Sequence, residues 1–277
     1  MKHLSLLSII FLAFCLASCI TDLKYEGEKA VIDGWIDSDG NPSVIFTSSI
    51  VPGENNSSLA DKIIRWGKVT ISDGDTTIIM TGSPEKFYFP PYRYVTYQMN
   101  GEPGKTYKIT ADYADLHAEA SCRMPEPTPI LNIEVKNIEG NDSLKSAELQ
   151  FVTPEICPAY YYVTMRKLDS GERFLPTMLG TYKATEPSRL VNIPIMHPKN
   201  GLSMDPFVPQ LKIGEKLEIK LCRITEEVYE FWNQYDNAVL FGGSQFINSS
   251  NSIEGNISGG YGIWSAQGTS TYYLNVK

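Results

Sequence analysis

The chain has 277 residues, and its 24 Lys and Arg against 32 Asp and Glu give a formal net charge of −8. This acidic balance argues against nucleic acid and anionic lipid headgroups as partners. The length suggests two domains of ordinary size. With only three histidines and five cysteines, the chain offers few candidates for a metal site or a nucleophile–base pair.

The N-terminal segment has the three parts of a bacterial lipoprotein signal. Lys2 and His3 precede an uncharged apolar run over residues 4–17, which is shorter than the roughly 20 residues that a spanning helix needs. The run ends in Leu-Ala-Ser-Cys, the pattern of a lipobox, with Cys19 last. We therefore expect residues 1–18 to be a signal peptide and Cys19 to be acylated, with palmitate among its chains. An ordinary secretory signal and an uncleaved anchor are the alternatives.

Residues 19–29 are polar and charged, and we predict that they form a tether between the membrane and the first domain. Residues 30–124 contain short β-rich runs separated by turn signals, including a Gly-containing turn that is typical of a hairpin. The predicted strands of this domain cover residues 31–36, 43–47, 68–72, 76–80, 106–111 and 116–124. Strands at this spacing, with no helical period between them, predict a β-sandwich.

Three prolines within residues 125–129 cannot continue a β-ladder and predict a stiff linker. A second domain, residues 130–277, has predicted strands at residues 130–135, 146–152, 160–168, 190–195, 216–224 and 272–276. Residues 174–209 form a long irregular stretch, which either contains further strands or makes a binding surface. The fold class is therefore all-β, with two tandem immunoglobulin-like β-sandwich domains.

One amphipathic helix is predicted near residues 225–237, in the second domain. Thr225 suits the N-cap position, and Glu226 and Glu227 suit the first turn. An apolar stripe at helical spacing follows, made of Val228, Phe231, Trp232, Tyr235 and Val239. Because such a stripe is typical of core packing, we expect the helix to cover an open face or edge of the second sandwich.

Three cysteines besides Cys19 remain after cleavage, and an exported protein allows one disulfide among them. Alternation predicts that Cys122 is a buried thiol. Cys222 lies on the strand face opposite its Leu and Ile neighbours. If a disulfide forms, Cys157–Cys222 is the better pair. No Cys-x-x-Cys spacing occurs, which argues against zinc and redox motifs.

The motifs contain no catalytic constellation. His117 and His197 stand outside any recognised nucleophile motif. Residues 37–41 superficially resemble a calcium loop, but Pro42 stands where that loop needs glycine, so a β-turn is the better interpretation. We expect no enzyme activity, no metal and no cofactor, and we keep a hydrolase as a lower-ranking alternative because paired carboxylates cannot be recognised from spacing.

Aromatic residues cluster around Pro90 and Pro91, where a loop would offer flat faces to a glycan or peptide. We predict ligand contacts at Tyr88, Tyr92 and Tyr94. The alternative is that they are ordinary half-buried strand residues.

Two further patterns concern modification. Thr76 and Ser143 each follow an aspartate in a short pattern that resembles the O-glycosylation sequon of Bacteroidota, and both lie at predicted turns.

The order of several short motifs resembles one known family. Asp-Gly-Trp-Ile at residues 33–36 comes first, followed by residues 69–74 and Gly-Lys-Thr-Tyr at residues 104–107. Met124-Pro125 closes the first domain, and a Gly-rich stretch at residues 256–264 ends the series. This order resembles the Bacteroidota lipoprotein family called domain of unknown function 4249. The resemblance implies an outer-membrane lipoprotein encoded near TonB-dependent receptors, and it implies no catalytic residue.

The leading hypothesis is a non-enzymatic lipoprotein, anchored by lipid in the outer membrane, that acts as an accessory or binding partner of a TonB-dependent uptake system. The alternative is a stand-alone adhesin or glycan-binding module. The sequence leaves open which side of the membrane the protein faces.

Overall fold

The computed structural model describes residues 27–49, 59–198, 207–241 and 253–277. The predicted signal peptide, Cys19 and most of the predicted tether lie outside these residues. The described strands are β1 (Ala30–Asp37), β2 (Ser43–Ser48), β3 (Lys68–Ser72), β4 (Thr77–Ile79), β5 (Thr81–Pro84), β6 (Tyr92–Val95), β7 (Thr106–Tyr113), β8 (Leu116–Arg123), β9 (Ile130–Ile138), β10 (Asn141–Val152), β11 (Ala159–Lys167), β12 (Leu175–Ala184), β13 (Leu190–Ile195), β14 (Leu211–Lys212), β15 (Lys216–Ile224) and β16 (Gly260–Asn275). The helix α1 covers Glu226–Phe241, and a short 3₁₀ turn covers Leu59–Lys62.

The fold is all-β, as the sequence predicts, and its largest element is an eight-stranded sheet in the order β12-β11-β15-β16-β1-β2-β6-β5. Two four-stranded sheets complete it: β4-β3-β7-β8, and a sheet of β9, β10, β13 and β14. No helix in the described ranges is both long and apolar enough to cross a membrane.

Two separate buried clusters lie against the large sheet. The first core contains Ile32, Phe46, Ile71, Ile109 and Trp264. The second core contains Leu149, Phe151, Tyr161, Ile193 and Ile219. Each core thus lies between part of the eight-stranded sheet and one four-stranded sheet, which is the sandwich arrangement in which inward-facing side chains of two sheets interdigitate.

Strand β16 contributes to both cores. Its first half pairs in parallel with β1, from Ala30↔Gly260 to Asp37↔Gln267. Its second half pairs antiparallel with β15, from Arg223↔Gly268 to Lys216↔Asn275. The last strand of the chain therefore pairs with the first, and the large sheet is continuous across the two predicted domains.

The predicted linker crosses β16 where the pairing changes partner. A Cβ atom on Gly268 would lie 2.3 Å from the carbonyl oxygen of Pro125, so only glycine fits this crossing. Further along, the Thr128 hydroxyl is 3.0 Å from the Tyr161 hydroxyl in the interior. The Pro-rich segment therefore packs against the sheet.

The helix begins at Glu226, as predicted, and extends to Phe241. The Thr225 carbonyl accepts the first helical hydrogen bond, from the Tyr229 amide at 3.0 Å, as an N-cap residue does. The helix packs against β11, β12 and β16. It covers the sheet face opposite the second core, which is the kind of position that its apolar stripe predicts.

The sequence analysis missed strands β5, β6, β12 and the short β14. Strands β5 and β6 form a hairpin, with Pro84 paired to Tyr92, next to the Pro-Pro stretch that we interpreted only as a loop. In the irregular stretch, the described part contains β12 as well as the predicted strand at Leu190–Ile195. Strand β12 contains Pro176 and Gly180, which interrupt the alternating pattern that would predict a strand.

Candidate functional site

The loop between β5 and β6 exposes two phenylalanines at its tip. Phe87 is 57% exposed and Phe89 is 54% exposed. The base of the loop is fixed, because Arg93 donates to Oε1 of Glu85 through Nε at 2.9 Å and Nη2 at 2.8 Å. The Arg93 guanidinium also lies 4.8 Å from the centre of the Tyr88 ring. The predicted contact Tyr88 therefore packs on Arg93, while Phe87 and Phe89 face solvent.

The other two predicted contacts anchor a second loop. Tyr94 is buried, and its hydroxyl accepts from the Gly67 amide at 2.9 Å and donates to the Ile64 carbonyl at 2.9 Å. Burial raises the pKa of Tyr94 above its ordinary value. The Tyr92 hydroxyl donates to the Arg65 carbonyl at 3.1 Å. These bonds hold Trp66, which is 87% exposed, so the tyrosines position an aromatic side chain that the sequence analysis did not identify.

We call residues 63–67 and 85–91 the aromatic loops. They carry Trp66, Phe87 and Phe89, each of which is more than half exposed. A tryptophan between the charged Arg65 and the turn-forming Gly67 is the sequence signal that would have indicated Trp66.

A narrow crevice lies behind the first loop, where the connection between β11 and β12 approaches it. A Cβ on Gly171 would lie 3.2 Å from Phe87. Nearby, Arg173 donates from Nη2 to Asp33 Oδ2 at 2.8 Å and lies 5.0 Å from the Trp35 ring. Although burial alone would lower the pKa of Arg173, the charge of Asp33 outweighs it and keeps the guanidinium ionised.

The crevice contains a cavity of about 30 Å³, lined by Arg173 and Trp232 among others. Of the buried side-chain nitrogens and oxygens in the described residues, only Arg173 Nε and Trp232 Nε1 have no hydrogen-bond partner. The volume suits one or two water molecules, which would satisfy such donors. The cavity is too small for an organic substrate.

Asp37, Lys220 and Gln267 are buried and also line this cavity, and they form a polar cluster with the more exposed Asp39. Lys220 Nζ is 2.6 Å from Asp37 Oδ2 and 3.1 Å from Asp39 Oδ1. Gln267 Nε2 donates to Asp37 Oδ1. Burial alone would lower the pKa of Lys220, but the two carboxylates outweigh it and raise the pKa. Burial likewise acts to raise the pKa of Asp39, but Lys220 and the Thr269 hydroxyl hold it below its usual range.

The calcium-like motif is part of this cluster. The Gly40 amide donates to the Asp37 carbonyl at 3.1 Å, which is the β-turn that we predicted for residues 37–41. The lysine ammonium lies where a cation would have to bind. In the described part of the chain, no group of three or more His, Cys, Asp and Glu side chains is arranged to hold a metal.

The two candidate histidines are each hydrogen-bonded to a carboxylate. His117 Nδ1 lies 2.6 Å from Asp112 on the surface, and His197 Nε2 lies 3.0 Å from Glu215. The structure therefore does not bring them together at one site.

Cys122, Cys157 and Cys222 are free thiols in the structure. Cys222 belongs to the first core, whereas Cys157 packs against the second. The sheet therefore separates the two cysteines that we named as the better pair if a disulfide forms. Cys122 is 3% exposed, which confirms the predicted buried thiol. Burial raises the pKa of both Cys122 and Cys222, so neither is a reactive thiolate.

The two candidate glycosylation residues are exposed, but only Thr76 lies at a turn; Ser143 lies within strand β10, contrary to the prediction. Thr76 follows the turn between β3 and β4, where its amide donates to Asp73 Oδ1 at 2.9 Å. Ser143 lies near the start of β10, and its amide donates to Asn141 Oδ1 at 3.1 Å. Both side chains are exposed, so either is accessible to a modifying enzyme.

Comparison with known families gives one match. The model of the family described as domain of unknown function (DUF4249) matches residues 19–272, which is most of the chain. The chain belongs to this family. The search of curated proteins found no match.

The C-terminal Gly-rich stretch that suggested DUF4249 has a clear structural role. The Asn256 amide group donates to the Trp264 carbonyl at 2.8 Å and accepts from the Trp264 amide at 2.8 Å. Gly262 has φ +105°, and a Cβ there would lie 1.9 Å from the Ile32 carbonyl oxygen. On the partner strand, a Cβ on Gly34 would meet the Trp264 ring at 2.9 Å. The N- and C-terminal motifs of the family resemblance therefore form one β-ladder.

A buried carboxyl on α1 makes the packing of the helix depend on pH. Burial raises the pKa of Asp236 to about 6, and a hydrogen bond with Thr181 of β12 acts in the opposite direction. Because the folded-state pKa exceeds the unfolded value, the protonated form contributes stability below about pH 4 that is lost as the pH rises through 6.

We therefore expect Asp236→Asn to be more stable than the wild type at pH 8, by about 1–2 kcal/mol after allowing for partial solvent screening. The difference should vanish near pH 4. Urea unfolding at both pH values measures it, and a difference that stays constant with pH would contradict the prediction.

Proposed function

We propose that this protein is a non-enzymatic lipoprotein, anchored in the outer membrane, that serves as a binding partner of a TonB-dependent uptake receptor. The observation that carries the proposal is the pair of aromatic loops. They expose Trp66, Phe87 and Phe89 on a frame fixed by tyrosine hydroxyls and by the Arg93–Glu85 ion pair. Exposed aromatic side chains on a preorganised surface are typical of protein contact sites.

The hydrolase alternative ranks lower because His117 and His197 are bonded to different carboxylates, Asp112 and Glu215, and the structure does not bring the two histidines together. The experiment that tests the proposal is purification of the tagged protein from solubilised outer membranes after crosslinking. An outer-membrane β-barrel should be recovered with it.

The location part of the proposal rests on the lipobox. The family match begins at Cys19, the residue that would become the mature N-terminus. Each buried acyl methylene contributes about 0.8 kcal/mol, so several chains would hold the protein at the membrane. We expect Cys19→Ala to move the protein from the membrane fraction to the soluble fraction. Immunoblotting of fractionated cells measures this, and a membrane-bound variant would show that the anchor lies elsewhere.

A glycan-binding module is the second candidate, and the same exposed phenylalanines favour it, because aromatic faces stack on sugar rings. Substitution of Tyr92 or Tyr94 would be a poor test, since both hydroxyls support the backbone. Phe87→Ser with Phe89→Ser is a better variant. Glycan-array binding that this variant loses would favour the module, and the absence of binding by the wild type would reject it.

A further inference from the structure

We propose that Lys220 and Asp37 form an intramolecular amide bond that ties β15 to β1 across β16. In the ladder, Asp37 lies opposite Gln267 and Lys220 lies opposite Thr271, four residues further along β16. The long Lys220 side chain reaches back across that strand to Asp37. Lys220 Nζ is 2.6 Å from Asp37 Oδ2. The bond would be a modification of this chain by itself, independent of the proposed partner.

The fold holds the two reacting groups in contact and largely shielded from solvent. The side chains of Lys220 and Asp37 are 9% and 10% exposed, and the Phe174 ring lies 4.6 Å from Nζ. Buried opposite charges lose their hydration, which their mutual attraction does not always repay. Formation of an amide removes both charges. Because the fold already holds the amine and the carboxyl group together, the reaction does not need two separate molecules to meet.

Two neighbouring groups have the positions that the reaction needs. Asp39 Oδ1 lies 3.1 Å from Nζ, within reach to accept a proton from the ammonium. Gln267 Nε2 donates to Asp37 Oδ1, which stabilises the negative charge that develops on that oxygen during attack. The Tyr162 hydroxyl donates to Gln267 Oε1 and so orients the amide group.

The step balances without any co-reactant. Asp39 passes one proton from the Lys220 ammonium to Oδ2 of Asp37, so that a neutral amine faces a neutral carboxyl group. The amine attacks Cγ of Asp37, which forms the N–C bond, and the C–Oδ2 bond then breaks. That oxygen already carries one proton, and it leaves as water with a second proton from the nitrogen. Asp39 is again ionised at the end, and the positive charge of Lys220 and the negative charge of Asp37 disappear together.

Tryptic mapping of the purified full chain tests the proposal directly. An amide on Lys220 blocks cleavage after it, so residues 217–223 should appear joined to residues 30–62, lighter by one water than the sum of the two peptides. Recovery of linear peptides cut after Lys220, with no joined species, would overturn the proposal.

Two variants separate bond formation from simple pairing. Lys220→Arg keeps the charge but should give only linear peptides. Asp39→Asn keeps both reacting groups, and loss of its proton transfer should lower the joined fraction at least about tenfold. An unchanged joined fraction in Asp39→Asn would overturn the role assigned to Asp39. If a variant does not fold, the wild-type map alone still decides whether the bond exists.

Discussion

Trp264→Ala should lower the free energy of unfolding by about 3–5 kcal/mol, the cost of deleting a large buried aromatic side chain. Trp264 is fully buried in the first core. Its Nε1 donates to the Tyr107 carbonyl at 2.9 Å, so the substitution also leaves that buried carbonyl without this donor. Urea unfolding followed by circular dichroism measures the loss.

Trp66→Ala is the matched control, because it removes the same side chain from a position that is 87% exposed. We expect it to change the free energy of unfolding by less than about 0.5 kcal/mol. If the two variants lost similar stability, the assignment of Trp264 to the first core would be contradicted.

Gly262→Ala should cost at least about 3 kcal/mol, among the larger effects of single substitutions. The added Cβ would lie 1.9 Å from the Ile32 carbonyl oxygen, so β1 and β16 would have to separate. The residue also has φ +105°, a region that side chains other than glycine rarely adopt.

Gly74→Ala separates these two causes. Gly74 has φ +97°, close to that of Gly262, but nothing lies within 4 Å of the position of its Cβ. This control should therefore show the backbone strain alone, about 1–2 kcal/mol. Equal losses of stability in the two variants, measured by urea unfolding, would mean that the close approach of β1 is not what requires glycine at residue 262.

The sequence predicts the local elements well, because alternation and turn chemistry act over few residues. Strand β1, the hairpin of β3 and β4, and the start of α1 all follow from such signals. The double pairing of β16 does not, since its parallel pairing with β1 joins residues more than 200 positions apart and the change of partner falls where Gly268 lets the linker cross. Strand β12 is hidden because Pro176 and Gly180 interrupt its alternation.

The candidate site was also only partly predictable, because contacts between residues far apart in the sequence decide which side chains are exposed. Clustered aromatic residues drew attention to residues 87–94, but which of their side chains face solvent depends on long-range bonds. The Tyr92 and Tyr94 hydroxyls bind a loop nearly 30 positions earlier. Lys220 and Asp37 occupy polar positions of amphipathic strands, which normally face water. Here they are buried, and no pattern within either strand indicates that other parts of the protein cover these two side chains.

The claim that the aromatic loops bind an outer-membrane receptor is tested most directly by quantitative co-purification. Crosslinked membranes would be prepared from cells carrying the tagged wild type, Phe87→Ser with Phe89→Ser, or Tyr97→Ser. Tyr97 is 74% exposed and lies outside the aromatic loops, so it controls for the loss of an exposed aromatic side chain.

We expect a β-barrel receptor to be recovered equally with the wild type and with Tyr97→Ser. Recovery with the double variant should fall about tenfold, which corresponds to about 1.4 kcal/mol of binding free energy. Equal recovery with all three proteins would contradict the role of the aromatic loops. If no barrel is recovered even with the wild type, the proposed partnership is wrong.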